Sequence, residues 1–506
     1  MLSKLGDYLK WTTLTVAGLY LIAYIVLAVI RLSYPFELEW IEGAAVDHCR
    51  WLLAGNELYS LPTTDFVALN YPPFYYYVAA LAMKLFGIGF FAPRLVSFIS
   101  SLACFFLIYA IVKYETKKFI PAFLSASMYA AAYKFTGAWY DLARADSLQM
   151  LLILFSVYSV RRLKDIKGLI IAALALVLAF YTKQSTIIIV IALGGYLLFY
   201  HRKAFITYSL FWLSITAGIM LFLILKSDGW YYYYTFLIPG QHEVAKSFII
   251  SFWFDSFLKW LSPALIIIAA HSIFRSIISP DYSKVEDPDP IGDEFAFYTM
   301  LSGGLVLMAF VVMIHPVAYL NNLMPLVAGI SILSGIAFWR LIIAAGNSHQ
   351  WAVIIWIVML LQFGQLFYFP HYQIPSQNDR KAGERLISLI KGIDGPVFVC
   401  DHGFYSVMAN KASFAHRMAV KDVLDAKSVE FKGIRPSDIL KNDIIDDIRS
   451  KRFAAIIMDF AHGEPYDDEL VSQYYDFKGD IFGSPKQFFP VTGMQTRPQL
   501  IYVAKK

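Results

Sequence analysis

Long apolar runs separated by short polar breaks make up the chain to about residue 370, after which the pattern changes. The first run, Trp11 to Ile30, is long enough for a bilayer-crossing helix, for which about 20 residues suffice. Phe74 to Phe86 is shorter and aromatic-rich, and Gly87 and Pro93 set it off from Leu95 to Val112; the first predicts a juxtamembrane helix and the second a span. Further runs follow at about 119–136, 147–160, 168–181, 185–200, 204–225, 256–274, 295–314, 322–339 and 350–369, each near spanning length once tilt and frayed ends are allowed. The pattern predicts a mainly α, polytopic membrane protein with about eleven transmembrane helices over residues 1–370.

Beyond Pro370 the spacing becomes that of a soluble domain. Lys381 to Ile393 and Asn442 to Lys451 read as helices, and Gly395 to Asp401, Phe453 to Phe460 and Leu500 to Ala504 as strands, which predicts a small α/β domain over 371–506. The charges agree: this tail holds 37 of the chain's 81 acidic and basic side chains. The whole chain is 58% hydrophobic and only 16% charged, against about 25% charged in soluble proteins. The tail has no glycine-rich phosphate loop, so it is expected to serve as a cap or an acceptor-recognition module.

Lys113, Lys117 and Lys118 end one span, and Arg161, Arg162, Lys164 and Lys167, then Arg202 and Lys203, Arg275 and Arg340 recur at alternate ends. Positive residues favour the cytoplasm, so the N-terminus is expected inside and the C-terminal domain outside the plasma membrane. The first apolar run is longer than a signal-peptide core and is expected to be retained. The net charge of +5 includes no Lys/Arg block, which argues against a nucleic-acid partner. Cys49, Cys104 and Cys400 are scattered and indicate neither a disulfide framework nor a metal site. The acidic, proline-containing stretch Ser279 to Glu294 reads as a solvated linker.

The first outward loop, residues 31–73, concentrates the unusual chemistry. Glu37, Glu39, Glu42 and Asp47 lie beside Arg50 at the membrane edge, where acids are costly and point to function. Glu39 and Glu42, three apart, share a face if the loop is helical there: one can act as base while the other positions it or holds a cation. The alternative is an interfacial helix with solvated acids. Asp141, Arg144 and Asp146 form a second group, in which an ion pair leaves one acid for a cavity. Lys183, Gln184 and Arg94 offer cations and a donor to a lipid phosphate, or snorkel to head groups. Trp230 to Tyr234 read as an interfacial aromatic belt, with sugar stacking as the alternative. His242 and Glu243 could complete a divalent-metal site with the first-loop acids Glu39 and Glu42, and His315, Asn321 and Asn322 could line the same cavity, or cap helices and bond between them.

Glu39-Trp-Ile-Glu-Gly43, Leu53-Ala-Gly55, Leu58-Tyr59, Tyr71-Pro-Pro-Phe-Tyr75, Tyr140-Asp-Leu-Ala-Arg-Ala-Asp-Ser147 and Thr182-Lys-Gln184 resemble segments of the PMT-like, family 39-like bacterial branch of the GT-C membrane glycosyltransferases. The resemblance covers about residues 1–370. It implies a GT-C fold, a donor sugar on a polyprenyl phosphate in the outer leaflet, and a first-loop acid as catalytic base. Where that family often carries an Asp-Glu pair, this chain has Glu39 and Glu42. Family members differ in needing a divalent cation, for which Glu39, Glu42, Asp146 and His242 are the candidate ligands here. The expected function is transfer of the sugar to a hydroxyl of a glycan, lipid or protein acceptor, with inversion. In that scheme Glu39 or Glu42 is the base, Lys183 and Arg94 stabilise the departing phosphate, and Asp146 positions sugar or cation. Arg144, Gln184, His242, Glu243, His315 and Asn322 complete the candidate substrate site. The competing readings are a translocase of lipid-linked sugars, which would favour inverted repeats, and an envelope scaffold that binds glycans through the tail.

Overall fold

The structure is a computed structural model that describes residues 2–163, 165–278, 294–316, 318–461, 463, 466–484 and 486–506; the linker expected at Ser279 to Glu294 lies, but for Glu294, outside the described residues. Most of the chain is helical, with one small sheet near the C-terminus. The helices that open the chain are α1 (Leu2–Leu32), α2 (Glu42–Leu53), α3 (Phe74–Phe86), α4 (Phe91–Thr116), α5 (Phe119–Ala131), α6 (Asp146–Leu163) and α7 (Ile166–Thr182). Among the described residues six helices are long and apolar enough to cross a membrane: Leu2–Leu32, Phe91–Thr116, Arg202–Lys226, Lys246–Ser276, Glu294–Met313 and Leu320–Ala345. Shorter apolar helices, including α3, α5 and α7, fill the spaces between them. The protein is a multi-pass membrane protein.

Burial separates the lipid-facing helices from the central ones. Leu19, Ile22, Val26 and Val29 of α1 are exposed on one flank, while Ala17, Tyr24 and Ala28 on another are buried. Apolar side chains exposed along a spanning helix are stable only against lipid. Met324–Ala345 is enclosed from Met324 to Phe338. Small residues let its neighbours approach: a Cβ at Gly335 would overlap the Ser125 hydroxyl of α5, the close contact that small residues provide in membrane bundles.

Three expectations are corrected. The helix predicted over 119–136 stops at Ala131, and residues 132–145 form a chain of turns ending at Asp146, the first residue of α6. Of Trp230 to Tyr234 only Tyr232 is exposed, so the segment is not a belt: Tyr231 and Tyr233 are fully buried, with Tyr231 5.3 Å from the Tyr59 ring and Trp230 5.0 Å from Phe431. In the first loop the helix begins only at Glu42, so Glu39 sits in the preceding turn, where its carbonyl accepts from the Glu42 amide at 3.0 Å. The two glutamates therefore do not share a helix face.

The C-terminal unit is a four-stranded sheet in the order β1-β2-β4-β3. Strand β1 (Val397–Val399) runs parallel to β2 (Ala455–Met458), and β4 (Leu500–Ala504) is antiparallel to both β2 and β3 (Tyr475–Asp480). Strand β3, YDFKGD, is an edge strand whose side chains are mostly exposed, so it lacks the apolar signal that marks the other three. Helix Gln377–Lys391 starts at a capping box between Ser376 and Asp379. The unit docks directly on the first loop: Phe36 meets the rings of Tyr405 and Phe488 at 6.0 and 5.4 Å.

Candidate active site

Glu42 and Arg94 form a closed pair beneath the first loop. Both are fully buried. Arg94, on the first turn of α4, spends all five N–H donors: Nε and Nη2 on the Glu42 carboxylate at 3.0 and 2.7 Å, and the rest on the carbonyls of Arg31, Tyr34 and Phe36. Glu42 also accepts from the amides of Leu38 and Ala143, each at 2.7 Å. Burial alone would raise its pKa, but Arg94 and the two amides outweigh that and hold it below the usual carboxylate range. A carboxylate so satisfied fixes the loop and has no lone pair left for a substrate proton. Arg94, expected beside a lipid phosphate, has no donor left for one.

Glu39 is placed differently. It is also fully buried, yet Arg144 reaches one oxygen only at 3.5 Å, the Ile41 amide is the other donor acting on the carboxyl, and Oε1 has no hydrogen-bond partner. Burial pushes its carboxyl up to about 8, with Arg144 pulling the other way. Gly493 of the C-terminal unit covers it: φ is +74° there, and a Cβ would lie 2.8 Å from Glu39 Cγ, so only glycine allows both the turn and the approach.

Arg144 lies under the influence of both Glu39 and Asp146. Its guanidinium stands over the rings of Tyr71 and Trp139 at 5.8 and 5.6 Å, and it lines a recess with Tyr71, Tyr75, Tyr76 and Asp146. Asp146 receives Lys183 Nζ at 2.7 Å, Asn321 Nδ2 at 2.9 Å and Trp139 Nε1 at 3.1 Å. Lys183 also donates to Asn322 Oδ1 at 2.8 Å. A second recess is lined by Asp146, Lys183, Asn321 and Asn322, so the two recesses meet at Asp146. Glu39, Arg144, Asp146 and Lys183 thus form a continuous line of alternating charge.

These sites sit on a fold with known relatives. Residues 70–226 match the family model described as dolichyl-phosphate-mannose-protein mannosyltransferase. Over 96% of its length the chain superposes on 97% of ArnT from Cupriavidus metallidurans bound to undecaprenyl phosphate, with a TM-score of 0.58 at 12% identity. The fold is that of the GT-C glycosyltransferases. The apo form of the same ArnT gives a TM-score of 0.52 at 11% identity, with the same 96% and 97% covered. An uncharacterized protein of Aquifex aeolicus is 30% identical over 191 residues, 36% of this chain, and the match spans 44% of that relative's length.

Within this GT-C fold the other predicted residues stand apart from the line. Gln184 uses its amide to tie the carbonyls of Asn70 and Thr235 at 2.9 and 3.0 Å. His242 faces Asp422 of the C-terminal unit at 3.7 Å, and His315 Nδ1 meets the Glu243 carbonyl at 2.9 Å. The expected metal ligands do not assemble: among the described residues no three His, Cys, Asp or Glu side chains come together to hold an ion. Glu42 and Asp146 are already neutralised by Arg94 and Lys183, so the donors present do not fit a divalent cation.

Two buried groups escaped the sequence reading. Arg31, at the end of α1, pairs with Asp141 at 2.9 Å and donates to the Tyr133 hydroxyl and the Ala138 carbonyl, pinning the 132–145 turns. His402 of the C-terminal unit hydrogen-bonds Glu37 through Nδ1 and Asp459 through Nε2, the latter at 2.9 Å. Burial would lower the imidazole's pKa, but Asp459 and Glu37 outweigh it and raise it well above its ordinary value. The only signal in sequence is the Asp401-His402 pair after a buried strand, which does not reveal its partner 365 positions away.

Proposed function

We propose that the protein is a polyprenyl-phosphate-sugar-dependent glycosyltransferase acting at the outer face of the plasma membrane, with Glu39 as the catalytic base. The observation that carries this reading is the unpartnered, buried Oε1 of Glu39 beside Arg144, next to a glutamate whose every lone pair is engaged. A carboxyl raised by burial is a stronger base once ionised, and the unpaired oxygen is free to take a proton. The acceptor O–H gives its proton to Glu39, its oxygen forms the new bond to the anomeric carbon, and the sugar–phosphate C–O bond breaks with its electron pair passing to the lipid phosphate. Attack opposite the leaving group inverts the anomeric centre. Arg144 and Lys183 are the cations available at the recess to stabilise charge growing on that phosphate, and Asp146 holds Lys183 in place. The GT-C fold and the undecaprenyl phosphate bound to ArnT support the choice of carrier, and the family match favours a hexose donor. No step uses a metal ion.

The test is transfer of labelled sugar from polyprenyl-phosphate-mannose by full-length protein in membranes. Glu39→Gln is expected to lower turnover by about 10²–10⁴-fold, the range for losing a general base, with the protein still inserted and folded. Wild-type turnover in this variant would overturn the assignment.

A further inference from the structure

The first loop is also held from the C-terminal side. Between Phe36 and Ile41, Phe36 is boxed by Tyr405 and Phe488, the Glu37 amide donates to the Tyr405 hydroxyl at 3.3 Å, and the Leu38 carbonyl accepts from the Thr492 amide at 3.2 Å. The Trp40 carbonyl lies 3.4 Å from His416 Nε2, and Gly493 lies on Glu39. The charged member of this set is Glu37–His402–Asp459, reinforced by the Thr496 hydroxyl on Asp459. Glu37 is 5% exposed, His402 1% and Asp459 7%, so the two carboxylates and the imidazole exchange hydrogen bonds largely without water. Gly43 makes room for Glu37: a Cβ there would overlap its Oε1. None of these side chains belongs to the Glu39–Arg144–Asp146–Lys183 line, and a surface contact would need no ionisable triad to hold it.

We propose that His402 is a positioning residue for the transfer reaction, clamping Glu37 to Asp459 so that the C-terminal unit sets where the Glu39 carboxylate lies. The inference rests on Glu39 being the base, but the clamp itself can be read without that assumption. Breaking it leaves the backbone contacts that Arg94 makes to Phe36 and Glu42 makes to Leu38 but removes the side-chain anchor of Glu37 to the C-terminal unit that helps set where Glu39 lies, and a misplacement of about 1 Å at a catalytic group can cost about 10²-fold in rate.

Three measurements on the full-length protein in lipid nanodiscs test this: amide exchange of residues 37–41, binding of undecaprenyl phosphate, and turnover with polyprenyl-phosphate-mannose. His402→Ala is expected to speed exchange at 37–41 about tenfold or more, to leave undecaprenyl phosphate affinity within about twofold, and to lower kcat at least about tenfold with donor KM little changed. The double variant H402A/E37Q should be no worse than H402A, because the residues act as one unit. Unchanged exchange at 37–41, or unchanged kcat, overturns the clamp. Should His402→Ala fail to fold, Asp459→Asn keeps the shape and weakens the clamp, with faster exchange at 37–41 expected and wild-type exchange overturning the proposal. Failure of the base assignment has a separate signature: full turnover in Glu39→Gln alone.

Discussion

Glu39–Arg144 and Glu42–Arg94 are chemically the same kind of pair, both buried, with glutamates three residues apart, yet their surroundings differ in almost every contact. Around Glu42 every donor and acceptor is matched, and the guanidinium closes on both the carboxylate and three backbone carbonyls. Around Glu39 the guanidinium approaches one oxygen from 3.5 Å and leaves the other bare. A matched buried ion pair holds the scaffold, because moving either partner strands the other; an unmatched one costs stability, and that cost is what motivates the proposed role of Glu39 as base. The same contrast separates the two expected phosphate cations. Arg94 is used up inside the loop, whereas Lys183 and Arg144 line the recesses.

The largest effect that would test this contrast is on stability. Arg94→Met is expected to destabilise the protein by about 3–5 kcal/mol, the cost of leaving a buried charge unpaired, and adding Glu42→Gln should recover much of it; thermal unfolding in detergent reads both, and a stable Arg94→Met protein would make Glu42 as available as Glu39. Next in size, Arg144→Lys should lower kcat/KM by about tenfold or more, since charge-assisted hydrogen bonds contribute about 1.5–3 kcal/mol and lysine cannot reproduce the planar fork; steady-state kinetics with the labelled donor measures it. The smallest is a shift in the pH profile. A base with its pKa raised to about 8 is protonated below that pH, so kcat/KM should climb as pH rises through about 8. Arg144→Met, which removes the charge that pulls the carboxyl down, should move that limb to higher pH. A limb near 4.5 in the wild-type enzyme would return the role of base to an exposed or matched acid.

The helical bundle and three of the four strands are legible in the sequence because each rests on local periodicity, and α3 begins and ends at the residues the apolar run marks. Edge strand β3 is not, since a half-charged strand carries no such pattern. Glu39 and Asp146 stand out as acids beside lipid, but the sequence cannot rank Glu39 over Glu42, because the ranking depends on Arg94 from α4, on the Ala143 amide and on Gly493 from near the C-terminus.

By itself, then, the sequence determined that this is a many-helix membrane protein with an α/β tail, that its costly charges gather in the first loop and the turns before α6, and that it resembles the GT-C enzymes. The first follows from hydrophobic period and composition, which act over tens of residues; the second is read from where the charged residues fall in the chain, and the third rests on segments such as Glu39–Gly43 and Tyr140–Ser147. Only the tertiary structure decided which carboxylate is fully matched by donors, which cations line the recesses, and that His402 reaches Glu37. Those outcomes depend on hydrogen bonds between segments up to hundreds of residues apart, where the pairing of each donor, rather than the presence of a charge, sets the chemistry.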